Sequence, residues 1–151
     1  MGFSPLGLVV GLAVLAPNLL LLRFPPRDPL PRVAVPRMLS WLERAGHALC
    51  LVVPAITGPG PIAWWWVAPV VVALALYYAL WARYLRSGRP VSALYRPLWR
   101  APVPMAILPV AVFLSASAWL GDVWIAVAAL VLALGHIPVA VLNARALGVL
   151  R

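Results

Sequence analysis

Lysine is absent from this chain of 151 residues, and acidic side chains number three: Asp28, Glu43 and Asp122. Charged residues make up 10% of the total and hydrophobic ones 65%, where a soluble domain carries about 25% and about 45–50%. So little charge cannot cover a folded surface in water. Lipid is therefore the expected solvent, and a mean hydropathy of +1.00 agrees. The single cysteine, Cys50, excludes an intramolecular disulfide and reads as a small buried hydrophobe. Phosphate-binding glycine loops, HExxH, GxSxG and CxxC are all missing. The connections are too short and too rich in proline for a nucleotide-binding domain.

What is present is arginine, twelve residues of it, with a formal charge of +9. In a soluble protein this would point to nucleic acid. Here the arginines lie between apolar runs. Orientation in a bilayer and attraction to anionic lipid headgroups account for them, and nucleic acid is not expected as a partner.

A spanning helix needs about 20 predominantly apolar residues. Five windows meet this, at about 4–22, 39–57, 62–81, 103–120 and 123–143, so the expected fold is an all-α membrane bundle forming one domain over 1–151. The second window is the weakest, because Glu43, Arg44 and His47 interrupt it. The first lacks a positive charge ahead of it and runs on through Leu22, which reads as a retained helix rather than a signal peptide. Gly58–Pro61 and Gly121–Asp122 are minimal connections, expected to make antiparallel hairpins of spans two and three and of spans four and five. Between them the long connections carry Arg23, Arg27, Arg32 and Arg37, then Arg83, Arg86, Arg89, Arg96 and Arg100, while the tail carries Arg145 and Arg151. By the positive-inside rule these segments are cytoplasmic, giving an outside N-terminus and a cytoplasmic C-terminus in a bacterial cytoplasmic membrane. Trp64, Trp65, Trp66, Trp119 and Trp124 fall at the expected outer boundary, and Trp41, Trp81 and Trp99 near the inner one, as an aromatic belt would.

Polar groups at membrane depth are costly and mark function by default. Asn18, Glu43, His47, Tyr77, Tyr78 and His136 all fall in the cytoplasmic half, roughly 5–12 Å from the inner boundary at 1.5 Å per residue. They are the expected ligand-binding residues, lining a pocket open to the cytoplasm. Glu43 and His47, four apart, share one helix face. With His136 they offer either an acid–base group or a Glu/His/His metal set, although no cysteine or second carboxylate completes a known site, and no metal or cofactor is expected. Arg44 offers Glu43 a plainer, structural ion pair.

The series Pro17-Asn18-Leu19-Leu20, Phe24-Pro25-Pro26, Glu43-Arg44-Ala45-Gly46, Tyr77-Tyr78 with Trp81, Arg83 and Tyr84, Gly88-Arg89, Pro102 to Pro104 and Gly135-His136-Ile137 resembles a pattern in small, uncharacterised bacterial membrane proteins frequent in Gram-positive genomes. The resemblance covers nearly the whole chain. It implies a helical membrane protein and no particular activity. In size, helix number and tryptophan content the chain is also similar to the translocator proteins, or tryptophan-rich sensory proteins. Tyr95-Arg96-Pro97-Leu98-Trp99 is similar to their Lys-Pro-x-Trp loop, which follows the first helix there and precedes the fourth span here. That likeness is architectural and implies no function.

The function expected from these residues is binding or movement of a lipid or small amphiphile. The alternatives are an intramembrane acid–base enzyme using Glu43, His47 and His136, and a structural partner subunit without a ligand. The expected partners are the bilayer and its anionic headgroups, and assembly into a homo-oligomer is left open.

Overall fold

In the computed structural model, which describes residues 2–150, Ser4 opens the first helix by accepting a hydrogen bond from the Gly7 N–H at 3.1 Å, with Pro5 at the position where a missing N–H costs nothing. This helix, α1 (Pro5–Leu15), tightens into a 3₁₀ turn at Ala16–Leu19 and resumes as α2 (Leu20–Arg23). Pro17 is the cause: it has no N–H to offer the Ala13 carbonyl one turn back. That carbonyl is not left bare, because the Tyr78 hydroxyl donates to it at 2.9 Å. We expect Tyr78→Phe to cost about 1–3 kcal/mol, the penalty for an unmet carbonyl. In a Pro17→Ala background, where an N–H returns, the same change should cost much less. A double-mutant cycle on unfolding free energies measures this, and equal costs in both backgrounds would refute it.

The remaining helices are α3 (Arg37–Ile56), α4 (Val67–Arg86, entered through a 3₁₀ turn at Trp64–Trp66), α5 (Ser92–Tyr95), α6 (Pro104–Leu120) and α7 (Val123–Ala146). No strand occurs among the described residues. Helix α6 stops at Gly121, whose φ of 61° is the left-handed geometry that glycine adopts cheaply, and Asp122 caps α7 by accepting from the Trp124 N–H at 2.9 Å. The four long helices and α1 overlap the apolar windows, but α4 begins and ends five residues later than the window at 62–81. The short α5, in the proline-rich second connection, carries no such signal.

All the tight connections gather at one end of the bundle. Gly2 N–H donates to the Ile56 carbonyl at 3.1 Å and Ser4 N–H to that of Ala55 at 2.9 Å. Gly60 N–H reaches the Leu120 carbonyl at 2.8 Å and Ala63 N–H that of Trp119 at 2.9 Å. The 58–63 segment thus crosses the end of α6 and satisfies carbonyls that a helix terminus leaves orphaned. This corrects one expectation. Helices α3 and α4 are not a side-by-side hairpin: α3 packs on α7 and α1, and α4 packs on α6. The α6–α7 hairpin forms as expected.

The two long arginine-bearing connections meet at the opposite end, where Arg27 N–H donates to the Arg89 carbonyl at 3.1 Å and the Tyr84 hydroxyl to the Phe24 carbonyl at 2.9 Å. The Arg23 and Arg89 guanidiniums lie 5.6 and 5.9 Å from the centre of the Phe24 ring. Arg145 closes α7 at the end opposite Gly121, and Arg151 lies outside the described residues.

Three stretches among the described residues are long and apolar enough to cross a membrane: Pro5–Arg23, Trp64–Arg86 and Val123–Ala146. Helix α6 is equally apolar but shorter, and α3 is long enough but carries Glu43, Arg44 and His47. The outward faces bear Val9, Leu12, Val71, Val72, Leu130 and Leu134, all well exposed. A continuous apolar exterior of this kind suits lipid rather than water. The tryptophans divide. Trp41, Trp64, Trp65, Trp99 and Trp124 are exposed like anchors, whereas Trp81 and Trp119 are buried, so those two do not belong to the belt expected for them.

Candidate functional site

The site begins with two glycines. A methyl group on Gly46 would run into the backbone of Leu132, and one on Gly135 into the backbone of Glu43. Helices α3 and α7 therefore touch backbone to backbone, the approach that small residues permit. Glu43 stands one turn before Gly46's neighbour His47 on α3, and His136 directly follows Gly135 on α7. The close approach delivers all three side chains to one place.

There the Glu43 carboxylate Oε1 lies 2.8 Å from His136 Nδ1, both side chains about a quarter exposed (26% and 25%). The partner expected for Glu43 was Arg44. The structure replaces it with His136, and no arginine is ion-paired to a carboxylate among the described residues. His47 Nδ1 lies 2.8 Å from the Glu43 backbone carbonyl. A carbonyl can only accept, so Nδ1 carries the proton and Nε2 is left with a free lone pair. The two imidazoles meet edge to face, centroids 4.9 Å apart at 84°. Glu43, His47 and His136 each bring one donor atom to within 4.8 Å of the others.

Beside this cluster lies a pocket of about 380 Å³. His47 and Cys50 of α3, Tyr77 and Trp81 of α4, and His136 of α7 face it, together with Asn18 of the 3₁₀ turn. Apart from Tyr95, the rest of its wall is apolar, from Val14, Leu51, Met105, Phe113 and Leu132 among others. Pro109, inside α6, also lines it. Tyr77, buried, donates its hydroxyl to Asn18 Oδ1 at 3.2 Å, while Asn18 Nδ2 donates to the Val14 carbonyl at 3.3 Å. His47, Ala48 and Leu51 are exposed although they line the pocket. These exposed lining residues all belong to α3 and mark one rim of the pocket.

Of the six residues expected at a ligand site, Asn18, His47, Tyr77 and His136 line the pocket, and Glu43 reaches it through His136. Tyr78 does not. It is 43% exposed and its hydroxyl serves the Ala13 carbonyl, so the neighbour of a site residue here does a structural job. Two pocket residues escaped the sequence. Trp81 is 3% exposed, and its buried indole N–H lies beside the Tyr77 hydroxyl without making a well-formed hydrogen bond among the described residues. Its place one turn past Tyr77 on the same helix face was a usable signal. Tyr95 arrives on α5, where burial, and then the charge of Glu43, push its phenol above the ordinary range. It therefore stays a hydroxyl donor. No protein-family model, curated protein or solved structure matches this chain.

Proposed function

We propose that the chain crosses a bacterial cytoplasmic membrane five times, with its N-terminus outside and its C-terminus in the cytoplasm, and that it holds or moves a lipid or small amphiphile in the central pocket. The observation that carries the reading is the pocket's make-up. It has a largely apolar wall and polar side chains gathered at one side, among them the buried Trp81 indole N–H, which lies beside the Tyr77 hydroxyl but makes no well-formed hydrogen bond among the described residues. Unpaired buried donors are rare and invite a partner. An amphiphile meets each demand, its chain against Phe113 and Leu132 and its polar group toward Trp81, His47 and His136.

Helices α3 and α6 run beside the three longer apolar stretches over the bundle's length, which supports counting them as spans too. The arginines at the far end from Gly60 and Gly121 support the orientation, and they suit anionic headgroups. Reporter fusions at the two termini test this topology. A reporter active outside at the N-terminus and inside at the C-terminus is expected, and both on one side would sink it.

The ligand reading is tested by titrating a fluorescent single-chain amphiphile into the purified protein in nanodiscs. Trp81→Phe removes the donor and keeps an aromatic ring, though a smaller one, so affinity should fall about tenfold, the worth of one hydrogen bond of roughly 1.4 kcal/mol. Unchanged affinity would count against the pocket. The Glu43–His136 contact favours a second reading, proton transfer on the molecule held there, because an imidazole oriented by a carboxylate is the usual general base. In that case His136→Asn would keep binding and lose turnover.

A further inference from the structure

We propose that Glu43, His47 and His136 hold a divalent first-row transition-metal ion of the zinc class, with an open coordination position toward the pocket. Metal binding stands apart from the amphiphile reading and is measured without it.

Four observations converge. The donor set is two imidazoles and one carboxylate, which suits zinc or ferrous iron and not the all-oxygen preference of calcium or magnesium. The three donor atoms already lie within 4.8 Å of one another. An ion with bonds of about 2.0–2.2 Å holds neighbouring ligands about 3.3–3.6 Å apart, so side-chain rotation alone closes the set. The second helix brings its ligand through the Gly46 and Gly135 backbone contacts, a rigid support rather than a mobile loop. Last, His47 is oriented as metal-binding histidines are, its Nδ1–H donating to a backbone carbonyl so that Nε2 is free to bind.

The pocket supplies what a bare Glu–His pair has no use for. With three protein ligands, the fourth position of the ion falls on the side where His47 and His136 line the cavity. Water or the oxygen of a bound carboxylate or phosphate would complete it, the pattern of an open rather than a closed structural site. A Glu43–His136 pair alone makes no use of His47, whose exposed ring meets His136 edge to face and lines the pocket.

The experiment uses the full chain in detergent, purified on a histidine-free tag, stripped with chelator and titrated with Co²⁺ and then Zn²⁺. One Co²⁺ per chain is expected, with the visible absorption of a low-coordinate site, displaced by one Zn²⁺. His136→Ala and Glu43→Gln should weaken binding at least tenfold. If those variants misfold, His47→Ala keeps the test alive, because that side chain is exposed and its loss leaves the helix packing intact. It too should weaken binding at least tenfold while the circular dichroism stays unchanged. No stoichiometric Co²⁺ uptake, or equal uptake by the wild type and the His47→Ala/His136→Ala double variant, overturns the proposal. Loss of amphiphile binding with metal uptake intact would instead strike the pocket reading alone.

Discussion

Replacing Gly46 or Gly135 by alanine should destabilise the protein by about 2–3 kcal/mol or more, whereas Gly11→Ala should be neutral or stabilising. The argument turns on sign. Alanine in a helix interior is ordinarily favoured over glycine by roughly 0.5–1 kcal/mol, so a glycine without a tight neighbour gains from the change. At Gly11 the added carbon would sit 3.5 Å from the Cys50 carbonyl, an ordinary contact. At Gly46 and Gly135 it would meet main chain of the facing helix, which cannot rotate aside, so α3 and α7 must separate. Overpacking of this kind costs about 1–3 kcal/mol, and more when the obstacle is backbone. Separation also pulls Glu43 off His136, which links helix packing to the site. Gly7, whose added carbon would run into the Pro54 carbonyl, should follow Gly46 rather than Gly11, although both belong to one GxxxG pattern. Unfolding in mixed micelles ranks the four variants. Equal effects at Gly11 and Gly46 would show that the backbone contact is not what holds α3 to α7.

The α3–α7 contact also marks how far the sequence could be read. Apolar length located the long helices, α4 five residues out of register, because a long apolar run reads as helix whatever its neighbours. The gathering of His47 and His136 was legible as well, since short polar side chains at that depth have few places to point. Which helices touch was not legible. A four-residue link suggested that α3 and α4 pair, but the link's own N–H groups bind carbonyls at the end of α6 and carry the chain across it. Nor could spacing tell Tyr77 from Tyr78. One faces Asn18 and the pocket, the other the carbonyl that Pro17 leaves bare, a difference of about 100° around the helix that depends on where α1 lies. Trp81 was hidden by its position: a tryptophan near a membrane boundary reads as an anchor until its neighbours are known.

Ala48→Trp should lower affinity for a single-chain amphiphile by more than tenfold and leave stability unchanged. Ala48 lines the pocket beside His47 yet is exposed, so its methyl marks the rim rather than the wall. An indole there would extend from the exposed rim on α3, and in the proposed topology that face meets lipid, which tolerates tryptophan well. Val52→Trp serves as the control. It is one turn further along the same helix, comparably exposed, and not part of the pocket lining. Both the equilibrium affinity and the association rate should fall at Ala48 and stay constant at Val52. The rate carries the sharper information. If the ligand reaches the pocket sideways past the rim on α3, the block slows association most. If it climbs from the arginine end past Tyr95, association at Ala48→Trp would match the wild type, and sideways access would be ruled out while the pocket itself stood.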